Sequence, residues 1–456
     1  MPTITGHAER VSRSSIVTGA PIWPQSVDEG THMMASPQRT SIGSYTRTSS
    51  VGEGSSLLPT TETADGEKPL GEVGFGATTF NSVNTMLGSG CLSLPYAYRI
   101  SGWLFCSIVM VLLLFVTLHT GKILRKCLDY YPGIRSFPDI GEVAFGVKGR
   151  YFISVMFYFE LFTASVMYVI LAADNLLVLL PAWEKWQLIV ITCLIVLPTA
   201  STSKLGILSY FSLVGITASL VLTLVVLEFG FTTTEAPGSV WDPMPTSIMP
   251  PDYDKSFAVF GLVMVGFAGH ACLPSIYESM STPQDYDRML NITWIVLSTV
   301  YLSVAVVGYL MYGNDTEDMI TKNLEKGWAA TMTVVLIVIN PMTKFGLTIN
   351  PIALASEELT EERLSPGPRF IFDMLVRWGL TGLVAITSIV VPNFATVIGL
   401  IGSVFSFSVS VLFPVAAYLS LYGDELSSTE ILVNRVIFGT SAIMAILGTY
   451  GTLCLA

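Results

Sequence analysis

NTMLGSGCLSLPYAY, residues 84–98, is the stretch that decides the fold. It lies inside a long apolar run, yet Gly88 and Gly90 flank a serine, and Pro95 follows shortly after them. Both residue types disfavour an uninterrupted helix, glycine through its backbone freedom and proline because it lacks an N–H group. The stretch therefore predicts an apolar helix that is broken near its middle.

The composition of the whole chain indicates a membrane protein. Of 456 residues, 51% are hydrophobic and only 12% are charged, against about 25% charged residues in an average soluble domain. The apolar residues also come in runs near the length that crosses a bilayer as a helix, about 20 residues. The formal net charge of −11 is spread over several loops and predicts no nucleic-acid partner.

The N-terminal part of the chain differs sharply from the rest. It is rich in Ser, Thr, Gly and Pro and lacks the apolar core of a signal peptide. We predict a disordered cytosolic tail at 1–74 and a transmembrane domain at 75–456. In the tail, Glu53 precedes Leu57 and Leu58. This pattern resembles a sorting signal that an adaptor protein reads for lysosome, vacuole or secretory vesicle; the alternative is a chance match.

Eleven apolar segments follow the tail. They are too long and too continuously apolar for the strands of a membrane barrel, so the predicted class is an all-α polytopic membrane protein with eleven transmembrane helices. The fourth and fifth segments are separated only by the short turn STSK. The predicted segments are 77–99, 102–122, 150–180, 186–203, 205–230, 255–279, 286–312, 328–355, 369–391, 393–422 and 431–454.

Lysine and arginine set the predicted orientation. The connection at 122–150 carries six basic residues, whereas the connection at 231–254 carries four acidic residues and no basic one. Eleven crossings then place the N-terminus in the cytosol and the C-terminus in the lumen or outside. Lys322 and Lys326 run against this trend, since their loop is predicted to be non-cytosolic.

The remaining sequence motifs are few. Six cysteines form no CxxC pair, so we expect them to be apolar fillers and predict neither a metal nor a cofactor. Asn314-Asp315-Thr316 is a sequon on the predicted outer side, which makes Asn314 a candidate glycosylation site.

A second interrupted segment, GFAGHACLPSIYESM at 266–280, matches the first. Gly266 precedes Pro274 by eight residues, and Gly88 precedes Pro95 by seven. Broken helices at the first and sixth positions predict an inverted five-plus-five repeat. The alternative is that these glycines only allow close helix packing.

Non-helical backbone at membrane depth is tolerated where it lines a cavity or is buried in protein. Freed amides can bind a carboxylate and freed carbonyls an ammonium, which are the two charged groups of an amino acid. The predicted substrate-binding residues lie at the two breaks. They are Asn84, Thr85, Gly88, Ser89, Gly90, Gly266, Phe267 and Gly269.

Three groups of motifs, in this order, resemble the amino acid/auxin permease family. The first is NSVN, GSG and LPYA within 81–97; the second is SFPDIGE with AFG within 136–146. The third is GH with LPSIY within 269–277, which resembles the vacuolar branch of fungi and plants, related to vesicular inhibitory amino acid transporters. The resemblance covers 75–455. It implies a LeuT-like fold and amino acid transport coupled to protons.

Ionisable side chains inside the segments are candidates for proton coupling, because they are costly in hydrocarbon. His270 lies beside the second break, Glu160 in the third segment and Lys344 in the eighth. His270 and Glu160 could instead be neutral hydrogen-bonding groups. In LeuT-like folds the first and eighth spans hold a sodium ion, which the amine of Lys344 could replace; alternatively, Lys344 could snorkel to the inner surface.

Four further polar side chains allow other interpretations of ion coupling and of polar contacts. Thr343 and Thr348 could still bind sodium, so sodium coupling is the less favoured alternative to protons. Asp174 could simply reach outer water, and His119 is expected at the membrane interface.

The leading functional hypothesis is a proton-coupled transporter of neutral amino acids across the vacuolar or lysosomal membrane, exchanging lumenal protons for cytosolic amino acid. One alternative is a sodium- or proton-coupled symporter of the plasma membrane. Another is an amino acid sensor with little flux, which would signal through its tail. An enzyme is not expected, because the sequence shows no nucleophile–base pair, metal cluster or nucleotide-binding loop.

Overall fold

The computed structural model describes residues 71–131, 133–201, 205–324, 328–361, 366–391 and 393–455. These residues belong to one of two compact units, Thr63–Ala456. Most of the predicted tail lies outside the described residues, and so do Glu53, Leu57 and Leu58.

The described chain is built from helices, with one isolated β-bridge between Val73 and Met280. The helices are α1 (Phe75–Met86), α2 (Leu94–Asp129), α3 (Phe137–Leu179), α4 (Lys185–Ala200), α5 (Leu205–Thr232), α6 (Tyr253–Ser256), α7 (Val259–Gly266), α8 (Leu273–Ser279), α9 (Tyr286–Tyr312), α10 (Ile320–Asn323), α11 (Trp328–Glu361), α12 (Pro366–Val390), α13 (Phe394–Leu400), α14 (Phe413–Tyr422) and α15 (Ser428–Leu453). Two π-helical turns, Ile401–Ser406 and Ser408–Leu412, join α13 to α14.

Both predicted interruptions are present. The chain leaves the helix after α1 and passes through the 3₁₀ turn Ser89–Ser93 before α2. It leaves again after α7 and passes through the 3₁₀ turn His270–Cys272 before α8. We call residues 87–93 the first break and residues 267–272 the second break. A proline stands in the first turn of the helix after each break, where its missing N–H removes no helical hydrogen bond.

Helical backbone lies within each of the eleven predicted segments. The first and second segments are merged in α2, but Gly102 interrupts its helical geometry with φ +73°. By length and composition, eight helical stretches of the described chain are long and apolar enough to cross a membrane, and two shorter apolar helices accompany them. The all-helical prediction is confirmed, whereas the count of eleven crossings stays a prediction.

Two sets of helices are distinguished by their packing. In one, α2 packs against α7, α8 and α9, and α1 packs against α9. In the other, α3, α4, α11 and α12 all pack against one another. We call these the bundle group and the scaffold group. A site at the breaks therefore lies where side chains of both groups can reach it.

At one end of the domain, the chain entering α1 is fastened to the chain leaving α8. Gly71 N donates to the carbonyl of Met280 (3.1 Å), Val73 N to that of Ser279 (2.9 Å), and Ser281 N to that of Val73 (2.9 Å). A Cβ on Gly71 would lie 2.2 Å from the backbone of Ser279, so this close pairing requires glycine. We call this end the near face.

At the opposite end, residues 236–252 cover the C-terminal end of α9 and the bend at Gly102. The amide of Trp103, freed by the bend, donates to the carbonyl of Ser247 (3.0 Å). An added Cβ at Gly102 would lie 2.7 Å from the carbonyl oxygen of Ile248. We call the surface formed by this segment, Asn314 and Leu455 the far face.

Candidate functional site

The carbonyl groups released by the first break are met by side chains from other helices. The hydroxyl of Tyr301 on α9 donates to the carbonyl of Met86 (3.1 Å). The ammonium of Lys344 on α11 lies 3.5 Å from the carbonyl oxygen of Leu87, and the Lys344 side chain is buried. Each break carbonyl would otherwise lack a partner in a water-poor interior, so these side chains stabilise the unwound backbone.

The two glycines of the first break face different surroundings. A Cβ on Gly90 would lie 3.1 Å from the Cα of Gly266 and 3.2 Å from its nitrogen, so Gly90 allows the two broken helices to touch. Among the described residues, a Cβ on Gly88 would meet only the carbonyl oxygen of Met86, at 3.7 Å. The open space beside Gly88 is therefore the place where a substrate can approach the backbone.

The second break packs directly on the first. Gly269 has φ +128°, a conformation that favours glycine, and a Cβ there would lie 3.0 Å from the side chain of Met86. Phe267 is buried with its ring edge-on to Tyr301 at 5.7 Å. A Cβ on Gly266 would also press on the Tyr301 ring, at 3.2 Å. Tyr301 thus contacts both breaks, and nothing in its local sequence signals this role.

The other predicted substrate residues divide between the core and the surface of α1. Asn84 is buried, whereas Thr85 is exposed and its hydroxyl donates to the carbonyl of Asn81 (2.8 Å). Ser89 belongs to the 3₁₀ turn of the first break, and its side chain is not among those described.

The described hydrogen-bond partners of His270 lie in the bundle group. Its Nε2 lies 2.9 Å from the carbonyl oxygen of Thr117 and 3.0 Å from the hydroxyl of Thr120, both on α2. The ring of Trp294 on α9 stands edge-on to it at 5.7 Å. Since a carbonyl oxygen only accepts, this geometry places the proton of a neutral ring on Nε2. The other nitrogen, Nδ1, is buried and has no hydrogen-bond partner among the described residues.

Glu160 belongs to the scaffold group and lies near the second break. It projects from α3, its side chain is half-buried, and the hydroxyl of Ser406 donates to its Oε1 (3.0 Å). It is also close enough to Cys272, at the end of the second break, for the two side chains to interact electrostatically. Cys272 is exposed, so this carboxyl lies next to a solvent-accessible part of the broken helix. No hydrogen bond or ion pair joins Glu160 to His270 among the described residues.

Ser406 comes from the π-helical stretch after α13, which the sequence analysis did not anticipate. A π-turn widens the helix by one residue and is common at functional sites. In this stretch a Cβ on Gly402 would lie 1.9 Å from the carbonyl oxygen of Gly261 on α7. Backbone contact with the second broken helix accompanies the irregular turns, and its sequence signal was the small residues Gly399, Gly402 and Ser403.

A second missed residue is Arg377 on α12, which is fully buried. Its Nε donates to Glu357 (2.7 Å), and its Nη1 donates to Asn350 (2.9 Å) and to the carbonyl of Ala200 (2.9 Å). Arg377 therefore joins α4, α11 and α12 of the scaffold group. An arginine inside an apolar segment was a visible signal, since such charges need internal partners.

The sequence allowed the alternative that Asp174 simply reaches outer water, but the structure buries this side chain. Its side chain is only 3% exposed, and its carboxylate pairs with Lys185 and, at 3.3 Å, with Lys322. Lys322 also pairs with Asp318 at 2.7 Å. Burial by itself lowers the pKa of Lys322, but the two carboxylates raise it above its ordinary value. These pairs offer partners for Lys322 in a loop that the sequence predicts to be non-cytosolic, where the charge rule disfavours lysine.

The remaining candidates have local partners. The hydroxyl of Thr348 lies 2.8 Å from that of Ser165 and donates to the carbonyl of Phe345 (2.9 Å), while the side chain of Thr343 is not described. His119 Nε2 lies 3.1 Å from Asn434 Oδ1. Asn314 is exposed on the far face.

Two broken helices that touch at their breaks, with open space beside freed backbone groups, define a secondary transporter. Residues 71–454 match the family described as transmembrane amino acid transporter protein, and the chain belongs to this family. It is an amino acid transporter and not an enzyme, as the motifs predicted.

Similar proteins agree with this assignment. Amino acid transporter AVT1D of Arabidopsis thaliana is 34% identical over 83% of this chain and 69% of its own length. Amino acid transporter AVT1B of the same plant is 32% identical over 83% of this chain and 70% of its own length. The crystal structure of MhsT in complex with L-phenylalanine shares the fold with a TM-score of 0.51 at 10% identity, covering 85% of this chain and 100% of that one. The predicted LeuT-like fold is confirmed.

Proposed function

We propose that the chain exchanges lumenal protons for cytosolic neutral amino acids across the vacuolar or lysosomal membrane. The observation that carries this proposal is the pairing of open space at Gly88 with the buried ammonium of Lys344 beside it. The first supplies room for a substrate at freed backbone, and the second supplies an amine that donates to a carbonyl of the same break.

The substrate binds as a zwitterion at the first break. Its carboxylate meets amides near Gly88, because unwound backbone at the start of a half-helix presents N–H groups and partial positive charge. The surroundings are largely apolar, with Phe267, Met86 and Cys91 buried. A neutral side chain fits them without leaving an unpaired charge.

Lys344 stands in for a coupling sodium ion. Its ammonium approaches the carbonyl oxygen of Leu87 in the first break from α11. The hydroxyl of Thr348 is already engaged with Ser165, which disfavours Thr348 as a sodium ligand. Lys344→Met should therefore damage transport without creating sodium dependence. Full proton-driven transport by this variant would exclude the substitution of lysine for sodium.

The proton is carried by Glu160, and His270 holds α8 to α2. Every described hydrogen-bond partner of His270 lies in the bundle group, so movement between the two groups would leave these hydrogen bonds unchanged. A proton on Nδ1 would also lack an acceptor among the described residues. Glu160 instead belongs to the scaffold group and lies near Cys272 of the second break, and it accepts a hydrogen bond from Ser406, which lies in neither group. A proton on Glu160 would therefore change contacts that movement between the two groups of helices makes and breaks.

Uptake into reconstituted vesicles tests this assignment, with pH and sodium gradients imposed separately over a panel of amino acids. Glu160→Gln keeps a hydrogen-bonding amide but cannot titrate, so exchange of amino acid should persist while accumulation driven by the pH gradient is lost. His270→Gln should retain accumulation. Glu235→Gln, at an exposed carboxylate outside both proposed sites, is the matched control. Accumulation by Glu160→Gln at the wild-type level would show that the proton travels elsewhere.

The orientation and the sorting of the chain are part of the proposal. The near face joins residues 71–73 to 279–281, and both are predicted to be cytosolic. The far face joins Asn314 to Leu455, and both are predicted to be lumenal. These groupings support a cytosolic N-terminus and a lumenal C-terminus. Replacement of Leu57 and Leu58 by alanine should send the protein to the cell surface; unchanged localisation would rule out the dileucine signal.

A further inference from the structure

The far face contains a pocket that is separate from the breaks. Its volume is about 360 Å³, and it lies between the start of α2, the short helix α6, the loop after α9 and the end of the chain. Its lining combines two cations, one carboxylate, one amide and apolar walls. The lining residues used below are Arg99, Lys255, Asp252, Asn314, Tyr96 and Leu455.

The two cations can bind a carboxylate. The Nη1 of Arg99 donates to the carbonyl of Thr316 (2.7 Å), and the guanidinium lies 5.7 Å from the ring centre of Tyr96. A guanidinium carries five N–H donors, and this is its one hydrogen bond among the described residues, so others remain for a ligand. Lys255 is exposed and lines the same pocket from α6.

The acidic groups favour a ligand that also carries a positive charge. Asp252 Oδ1 accepts from the amides of Asp254 (3.0 Å) and Lys255 (3.4 Å). A carboxylate offers about four lone-pair sites, so Asp252 can still accept from an ammonium. Glu317 and Asp318 lie close enough to Tyr96 to act on it electrostatically, and they would repel a simple anion.

We propose that this pocket binds a free amino acid as a zwitterion, at a second site distinct from the breaks. The carboxylate lies at Arg99 and Lys255, the ammonium at Asp252, and a short apolar side chain against Leu455. The site links the second half of the first broken helix to the short helix that leads into the second. The assignment of the ligand class rests on the proposed function, but the binding itself does not require proton coupling.

Equilibrium binding of radiolabelled L-alanine to the full chain in lipid nanodiscs tests the proposal. The protein is produced in a host without N-glycosylation, so that no glycan at Asn314 covers the pocket. Gly88→Val serves as the background, because its side chain fills the space at the first break. In this background one saturable site for alanine should remain. Adding Lys255→Gln should weaken that site about tenfold, through loss of a charge-assisted hydrogen bond. Adding Lys148→Gln, at an exposed lysine of the 122–150 connection, should not.

The results separate the second site from the proposed transport mechanism. Absence of alanine binding in the Gly88→Val background, or unchanged binding after Lys255→Gln, would overturn the second site. Thermal unfolding in the presence of alanine gives an independent readout, since a ligand stabilises only the folded chain that binds it. Failure of pH-driven uptake would overturn the proposed function and leave these binding results unaffected.

Discussion

Replacement of Gly90 by alanine should lower the stability of the fold, whereas replacement of Gly88 by alanine should lower amino acid uptake. At Gly90 the added methyl would lie 3.1 Å from the Cα of Gly266 and 3.6 Å from the carbonyl carbon of Val265. Carbon atoms in contact normally stay about 3.5–4.0 Å apart, so backbone must shift by several tenths of an ångström. Overpacking of this kind costs about 1–3 kcal/mol.

At Gly88 the same substitution meets open space. The backbone there has φ −125° and ψ −163°, which any residue adopts. Gly88→Ala should therefore leave the free energy of unfolding unchanged or raise it by about 0.5 kcal/mol, because alanine restricts the unfolded chain. The methyl group occupies the place proposed for the substrate, however, so amino acid uptake should fall.

Two measurements on the same pair of variants check this reasoning. Thermal unfolding of the purified protein should give a lower midpoint for Gly90→Ala than for Gly88→Ala. Uptake per folded molecule should fall in Gly88→Ala. Equal midpoints for the two variants would refute the close packing of the breaks, and wild-type uptake by Gly88→Ala would refute the placement of the substrate.

Three further experiments test contacts outside the breaks. Asp174→Asn removes the shared carboxylate of a buried ion-pair network and should cost about 3–5 kcal/mol, measured by unfolding; an unchanged midpoint would contradict the network. Arg377→Met should be destabilising by a similar amount, and Glu357→Gln in the same chain should recover part of the loss, which a double-mutant cycle measures. Val73→Pro removes an amide donor of the near face and should lower the free energy of unfolding by about 1 kcal/mol. It should also increase thiol labelling of Cys272, because the near face is fastened to the helix that follows the second break. Unaltered labelling would argue against coupling between the near face and the breaks.

Much of the fold followed from the sequence because its signals are local. A membrane helix must satisfy its backbone internally, so its length and apolar character are visible in a single stretch of chain. Glycine followed by proline marks a break for the same reason, and both breaks lie where the pattern placed them. The family could also be predicted, because its motifs consist of short runs of neighbouring residues.

The roles of individual residues depended on partners that are far away in the chain. The sequence showed that Gly88 and Gly90 lack side chains, but not that one faces open space and the other faces Gly266. Lys344 meets the carbonyl of Leu87 across 257 positions, and no periodicity within either helix indicates that contact.

The same limit applies to the ionisable groups. The sequence determined which such groups must lie in the membrane, because charge in hydrocarbon is rare and conspicuous. Only the tertiary structure decided that the described hydrogen-bond partners of His270 lie in the bundle group, while Glu160 belongs to the scaffold group and lies near the second break. Proton coupling requires a group whose contacts change during transport, and that property belongs to the packing of helices against one another.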